Sequence, residues 1–435
     1  MSESEGDFRY NTGAAKVPWA AVGESYSADD IVEVIRFLMQ GAEPEYLSAL
    51  HDVEKSMHSL SRFAHSPGKL SLGANVRKLE EMIDSYIGSR GSVFVTNATA
   101  GFELAFKYAN LSAGDEVIVP AITFVATMSY PLAVGVKVVL ADVDGRTLNM
   151  DPQDVARKIT KKTKMIVPVH VGGFPVDMDP IMDLANERSI LVLEDAAHAF
   201  GGKYKGRALG TIGHFGAFSF HEVKNITSFG EGGVLVSSLP LAAEMKRARF
   251  LGLNMQKKIP DWFYDVEALP GKYGPFVAGN SSSTEIQAIG LLRQLARYDA
   301  ILAQRRENAR YVSARLSQCR GLFTPPLGGD GTEPTAHLYC LQVDPKIVRG
   351  GMVALREKLE RRGVTSIPHF APLYKFEIMR QLGYDTAKLA ASCPVTEDLF
   401  PHRFTHLPIY GLSQQQLDYM ADSIIDSVGE LSRDR

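Results

Sequence analysis

The chain has 435 residues, more than one hydrophobic core usually serves, so two domains are expected. Its 47 Lys and Arg against 50 Asp and Glu give a formal charge of -3, which provides neither a basic field for nucleic acid nor a polybasic patch for a membrane surface. The three cysteines, Cys319, Cys340 and Cys393, are odd in number and far apart, which argues against a disulfide framework and a CxxC metal site and fits a reducing cytoplasm.

The first stretch, "MSESEGDFRYNTGAAK", is polar and carries no apolar core of signal-peptide length, and no later run reaches the roughly 18 apolar residues of a membrane span. Residues 1–70 read as an N-terminal arm with an insertion over about 41–67, helical in places and of no sheet period. From about 91 to 237, short Val/Ile-rich runs such as "GSVFVT", "DEVIVP", "KVVLADVD", "KMIVPVH" and "ILVLEDAA" alternate with amphipathic stretches such as "AGFELAFKYANL" and "DPIMDLANERS". Continuous apolar strands separated by helical periods predict an α/β domain whose mostly parallel sheet is covered on both faces. The large domain is expected over 71–300. Residues 301–435 are expected to hold the end of one long helix, "TEIQAIGLLRQLARYDAILAQRRENARYVSARLSQC", and a small C-terminal α/β domain with strands in "AHLYCLQVD" and "VTSI".

In such a sheet, ligand-bearing residues follow the carboxyl ends of the strands. That rule selects Asn97 to Thr99, Thr123 and Phe124, His170, Asp195 to His198, and Ser219 to Lys224. Lys224 stands out in "FSFHEVKNITSFGEGG": Ser219 lies five residues before it, and a glycine-rich turn, "GEGG", begins six residues after it. Each piece has an ordinary reading. The lysine could snorkel to water, Ser219 could be a strand-end hydroxyl, Asp195 could cap a helix, and His170 and His221 could be satisfied structural histidines.

Together they meet one chemical requirement, that of pyridoxal 5'-phosphate (PLP). This cofactor needs a lysine to hold its aldehyde, an acid for the pyridinium nitrogen, a platform for the ring, and hydroxyls with helix N-terminal amides for the phosphate.

The ordered motifs "TNATAGFELA", "GDEVIVPAITFVAT", "KMIVPVHVGGFPVDMDPI", "EDAAHAFGGKYKGRALG" and "FSFHEVKNITSFGEGG" resemble the DegT/DnrJ/EryC1/StrS family of sugar aminotransferases, of the fold-type I group. The resemblance implies Lys224 as the Schiff-base lysine and Asp195 as the pyridinium partner, with Phe124 stacked on the ring. It further implies Ala98, Thr99 and Ser219 at the phosphate and His198 near the phenolic oxygen. It also implies a homodimer in which Asn280 and Ser282 reach the partner's phosphate, and substrate contacts from His369 and Tyr374; His170, by its place after a strand, is a further candidate for substrate contact. The implied reaction moves an amino group from an amino acid, with glutamate the expected donor, to a keto-sugar, nucleotide-linked or free, or to a cyclitol ketone. No metal is implied. A keto-sugar dehydrase on the same fold is the alternative enzyme, but those members carry His where this chain has Lys224; a PLP-binding protein without turnover is the non-enzymatic one. Ser282 stands where a longer side chain is usual and Tyr374 where His is usual, and the insertion near 41–67 has no counterpart in short members.

Overall fold

Seven apolar runs between Val93 and Ser237 form one sheet in the computed structural model, which describes residues 26–64 and 69–432. The polar stretch 1–25 and residues 65–67 of the expected insertion lie outside the described residues. In chain order the strands are β1 (Val93–Val95), β2 (Glu116–Pro120), β3 (Lys137–Ala141), β4 (Thr163–Ile166), β5 (Leu191–Asp195), β6 (Phe215–Ser219) and β7 (Gly233–Ser237). Their order across the sheet is β1-β7-β6-β5-β4-β2-β3. Only β7 runs against the rest, since it pairs antiparallel with both β1 and β6. Every residue of β1, β2, β5 and β6 is buried, as a sheet covered on both faces requires. The expected mostly parallel α/β sheet is therefore present.

The described residues divide into two compact units, one drawn from 26–73 and 255–265, the other from 74–254 and 266–432. The first contains helices Ala28–Leu38 and Pro44–Ser61. Ser27 caps the former in a full capping box with Asp30, and the latter buries none of its residues.

In the second unit, the stretch read as one long helix is two, Glu285–Leu295 and Tyr298–Leu316. The break at Arg297 has no Gly or Pro to announce it. It is a tertiary effect: Tyr298 is fully buried, its ring 5.5 Å from that of Phe200 and its hydroxyl donating to Phe200 O at 2.6 Å. Further along, β8 (Leu322–Phe323), β9 (Tyr339–Val343) and β10 (Phe404–Leu407) form a small antiparallel sheet. Leu341, Met352, Leu355, Leu417 and Ile424 fill the core between this sheet and helices Gly351–Arg361 and Gln414–Ser432. The strand expected at 364–367 is reduced to a single bridge between Ile367 and His406.

Candidate functional site

The chain reverses between β6 and β7, and Lys224 sits in that reversal, its N–H donating to His221 O at 2.9 Å. Among the described residues its ammonium has no hydrogen bond and no ion pair. Burial pushes it down to about 8, against the pull of Asp195 toward the charged form. An amine with that pKa keeps roughly a tenth of itself neutral, hence nucleophilic, at pH 7, far more than an exposed lysine of pKa about 10.4 would.

Asp195 ends β5 and is buried. Its Oδ2 accepts from Thr127 Oγ1 at 2.9 Å, and its Oδ1 from the Ala197 amide at 3.1 Å. Thr127 Oγ1 lies 3.1 Å from Thr123 Oγ1, so two hydroxyls stand in line behind the carboxylate. Burial raises the Asp195 pKa, and these hydrogen bonds and Lys224 oppose the rise. A cation placed against it would favour its charged form.

At the end of β1, Asn97 caps helix Ala98–Ala109, its Oδ1 accepting from the Ala100 amide at 2.9 Å. The first-turn amides of Ala98 and Thr99 have no intrahelical acceptor and carry the positive end of the helix dipole. Gly233, at the start of β7, makes this approach possible. A Cβ there would lie 2.2 Å from Asn97 C and 2.5 Å from Ala98 N, so only glycine lets the helix N-terminus close on the strand.

These groups share one cavity of about 650 Å³, within the roughly 300–1,000 Å³ of small-molecule sites. Ala98, Thr99, Phe124, Asp195, His198, Ser219, Lys224 and His369 all line it. Phe124 is 57% exposed, an aromatic face held open in the cavity with Phe370 6.4 Å away. His198 accepts from the Gly172 amide at Nδ1, 3.3 Å, and lies 4.5 Å from the His337 ring. Burial, and then Lys224, hold both imidazoles well below the usual histidine range. The neutral His198 ring therefore carries its proton on Nε2, as a donor. His369 and His406 approach through Nδ1 at 3.3 Å, and burial lowers both, His406 to about 4.

The remaining expected site residues are elsewhere. His170 is fully buried and does not line the cavity: its Nδ1 accepts from the Val176 amide at 3.1 Å and its Nε2 lies 3.0 Å from Glu194. It props Glu194, which also receives the amides of Gly210, Ile212 and Gly213. Tyr374 does not line the cavity either: it is buried in the main apolar cluster and its hydroxyl donates to Glu397. Asn280 and Ser282 lie in a surface turn outside this chain's cavity, where Ser282 donates to Asn280 Oδ1 through N–H, 3.0 Å, and Oγ, 2.7 Å. Sequence reasoning missed Thr127, Arg305, His337, Phe370, His406 and Tyr410. All but Thr127 come from the last third of the chain and line the cavity with Lys224.

The donor set fits pyridoxal phosphate: an unpaired amine, a carboxylate held at a strand end, an exposed aromatic face, and a hydroxyl with free helix amides. Spore coat polysaccharide biosynthesis protein SpsC of Bacillus subtilis is 35% identical over 381 residues, covering 84% of this chain and 91% of that protein. GDP-perosamine synthase of Caulobacter vibrioides is 31% identical over 349 residues, covering 80% and 88%. Among solved structures, Spr1654 of Streptococcus pneumoniae superposes with a TM-score of 0.74 in its PMP form and 0.73 in its PLP form, at 26% identity, covering 84% of this chain and 94% of that one. The family model spans residues 52–425, and the chain belongs to the DegT/DnrJ/EryC1/StrS aminotransferase family, PLP-dependent enzymes of fold type I.

Proposed function

We propose that this PLP-dependent aminotransferase moves an amino group from an amino acid, glutamate above all, to the ketone of a sugar, nucleotide-linked or free, or of a cyclitol. The observation that carries the reading is the unpaired Lys224 amine, lowered by burial to about 8, in one cavity with Asp195. The cofactor supplies an electron sink for the carbon that carries the amino group. Lys224 would hold the cofactor's aldehyde carbon, and its free amine would take and return the proton at the substrate Cα. Asp195, oriented by Thr127 and Ala197, would keep the proton on the ring nitrogen. Phe124 would cover a ring face, His198 would donate from Nε2 to the phenolic oxygen, and Ser219 with the amides of Ala98 and Thr99 would hold the phosphate.

The acting form is proposed to be a homodimer in which the Asn280–Ser282 turn completes the partner's phosphate site. Support comes from apolar side chains exposed near that turn: Val277 at 78%, Ile286 at 53% and Phe229 at 53%. Gly290 leaves room for the Phe229 ring, which a Cβ would meet at 2.4 Å. Such side chains are costly to leave in water. The cytoplasm is proposed as its compartment, a reading supported by three unpaired cysteines; among the described residues no helix is long and apolar enough to cross a membrane. The lysine at position 224 weighs against the dehydrase reading.

The test is two half-reactions. L-glutamate should convert the cofactor from its aldehyde to its amine form, read by absorbance, and one of a panel of keto-sugars or cyclitol ketones should convert it back. A protein that binds the cofactor but reacts with no amino acid would be a binder without turnover.

A further inference from the structure

Arg305 is a guanidinium in an apolar seam. On helix Tyr298–Leu316 the buried positions include Tyr298, Leu302, Arg305, Ala309, Val312 and Leu316, spaced by three or four residues as one face of a helix requires. Arg305 is 8% exposed and lines the same cavity as Lys224. Among the described residues it has no ion pair and no hydrogen bond, and its Nε is buried without an acceptor. Its guanidinium lies over the ring of Tyr410, whose centroid is 4.0 Å from the guanidinium carbon and which also borders the cavity.

The next residue shows what a structural arginine looks like here. Arg306 donates to Pro334 O, Gly201 O and Glu333, one bond from each nitrogen of its fork. Arg305 has the same donors and gives none of them to the protein. Burying a guanidinium without a counter-ion is strongly unfavourable, and arginine cannot shed its proton to escape that cost. Nor do the carboxylates of the cavity serve it: Asp195 is engaged by Thr127 and Ala197, and Glu231 lies 3.8 Å from His221. The planar fork, backed by an aromatic face, suits a bidentate oxyanion.

We propose that Arg305, seated on Tyr410, is an oxyanion subsite for a reactant, binding a carboxylate or a phosphate. This rests on the aminotransferase reading, under which an amino-acid donor brings a carboxylate and a nucleotide-linked acceptor brings phosphates into one cavity.

The test uses the PLP-loaded protein and its Arg305→Met and Arg305→Lys variants, with glutarate and UDP as probes of the two sources and binding read by calorimetry. Wild type should bind at least one probe, and Arg305→Met should weaken that binding about tenfold or more, the scale of a charge-assisted hydrogen-bonded pair. Arg305→Lys should recover part of the loss. Loss for glutarate assigns the carboxylate, loss for UDP the phosphate, and loss for both a shared subsite. Arg305→Met should also leave the melting temperature of the ligand-free protein equal or higher, because it removes an uncompensated buried charge. A lower melting temperature with unchanged probe binding, or no binding of either probe by wild type, overturns the subsite. Glutamate half-transamination stands apart from this. A protein that transaminates with Arg305-independent binding loses only the subsite, whereas one that binds glutarate through Arg305 but never transaminates loses only the aminotransferase reading.

Discussion

The hydroxyl of Thr127 donates to Asp195 Oδ2 at 2.9 Å, which fixes the plane of a buried carboxylate at the end of the central strand β5. Thr127→Val keeps the shape and removes that donor. It should lower the rate of the glutamate half-reaction roughly tenfold, the scale of one hydrogen bond to a charged group. Asp195→Asn, which cannot hold the ring-nitrogen proton, should cost roughly 10² to 10³ in rate, as loss of a preorganised electrostatic partner does. Single-turnover absorbance kinetics separates the two. Equal, small effects would leave Asp195 as the cap of the turn at Ala197 and no more.

A second outcome concerns pH. Lys224 is lowered by burial from 10.5 to about 8. Only its neutral form attacks an aldehyde, so capture of pyridoxal phosphate by the cofactor-free protein should accelerate as pH rises, reach half its maximum at about pH 8 and level off above that. An ordinary exposed lysine would keep accelerating toward about 10.4. Stopped-flow absorbance between pH 6 and 10 locates the plateau.

Most of this site is legible in the sequence because parallel α/β sheets place ligand-bearing residues after strand ends. Asp195 and Ser219 are the last residues of β5 and β6, Asn97 to Thr99 begin two residues past β1, and the structure gathers them at one cavity. His170 escapes the same rule: β4 ends at Ile166, four residues earlier, and the chain then carries His170 under Glu194. Tyr374 is drawn inward with Leu373, both buried in the main core, and finds Glu397. His337 and His406 have no local signature, since distant segments bring them to the site. Arg305 had one: its phase on the helix places it with Leu302 and Ala309, where an arginine is out of keeping. The break at Arg297 had none, because the packing of Tyr298 decides it.

The turn at Asn280 yields a third outcome. Asn280 Oδ1 is occupied by two bonds from Ser282, which leaves the Nδ2 donor for the partner's cofactor phosphate in the proposed dimer. Asn280→Asp keeps the acceptor for Ser282 but replaces that donor with a negative charge. It should weaken cofactor affinity by at least the ~1.5–3 kcal/mol of a charged hydrogen bond, while Ser282→Ala should cost less. Equilibrium cofactor titration checks the order, and a larger effect from Ser282→Ala would shift the phosphate contact to that residue.

Lys224 is assigned two tasks, anchoring the cofactor and moving the proton. Borohydride reduction of the PLP-loaded protein fixes the cofactor to whichever lysine holds it, and peptide mapping then names that lysine. The expected result is a single pyridoxyl label on Lys224, absent in Lys224→Ala, whose glutamate half-reaction should fall by about 10² to 10⁴ as for loss of a general base. A label on any other lysine, or transamination at wild-type rate in Lys224→Ala, would remove both tasks from Lys224.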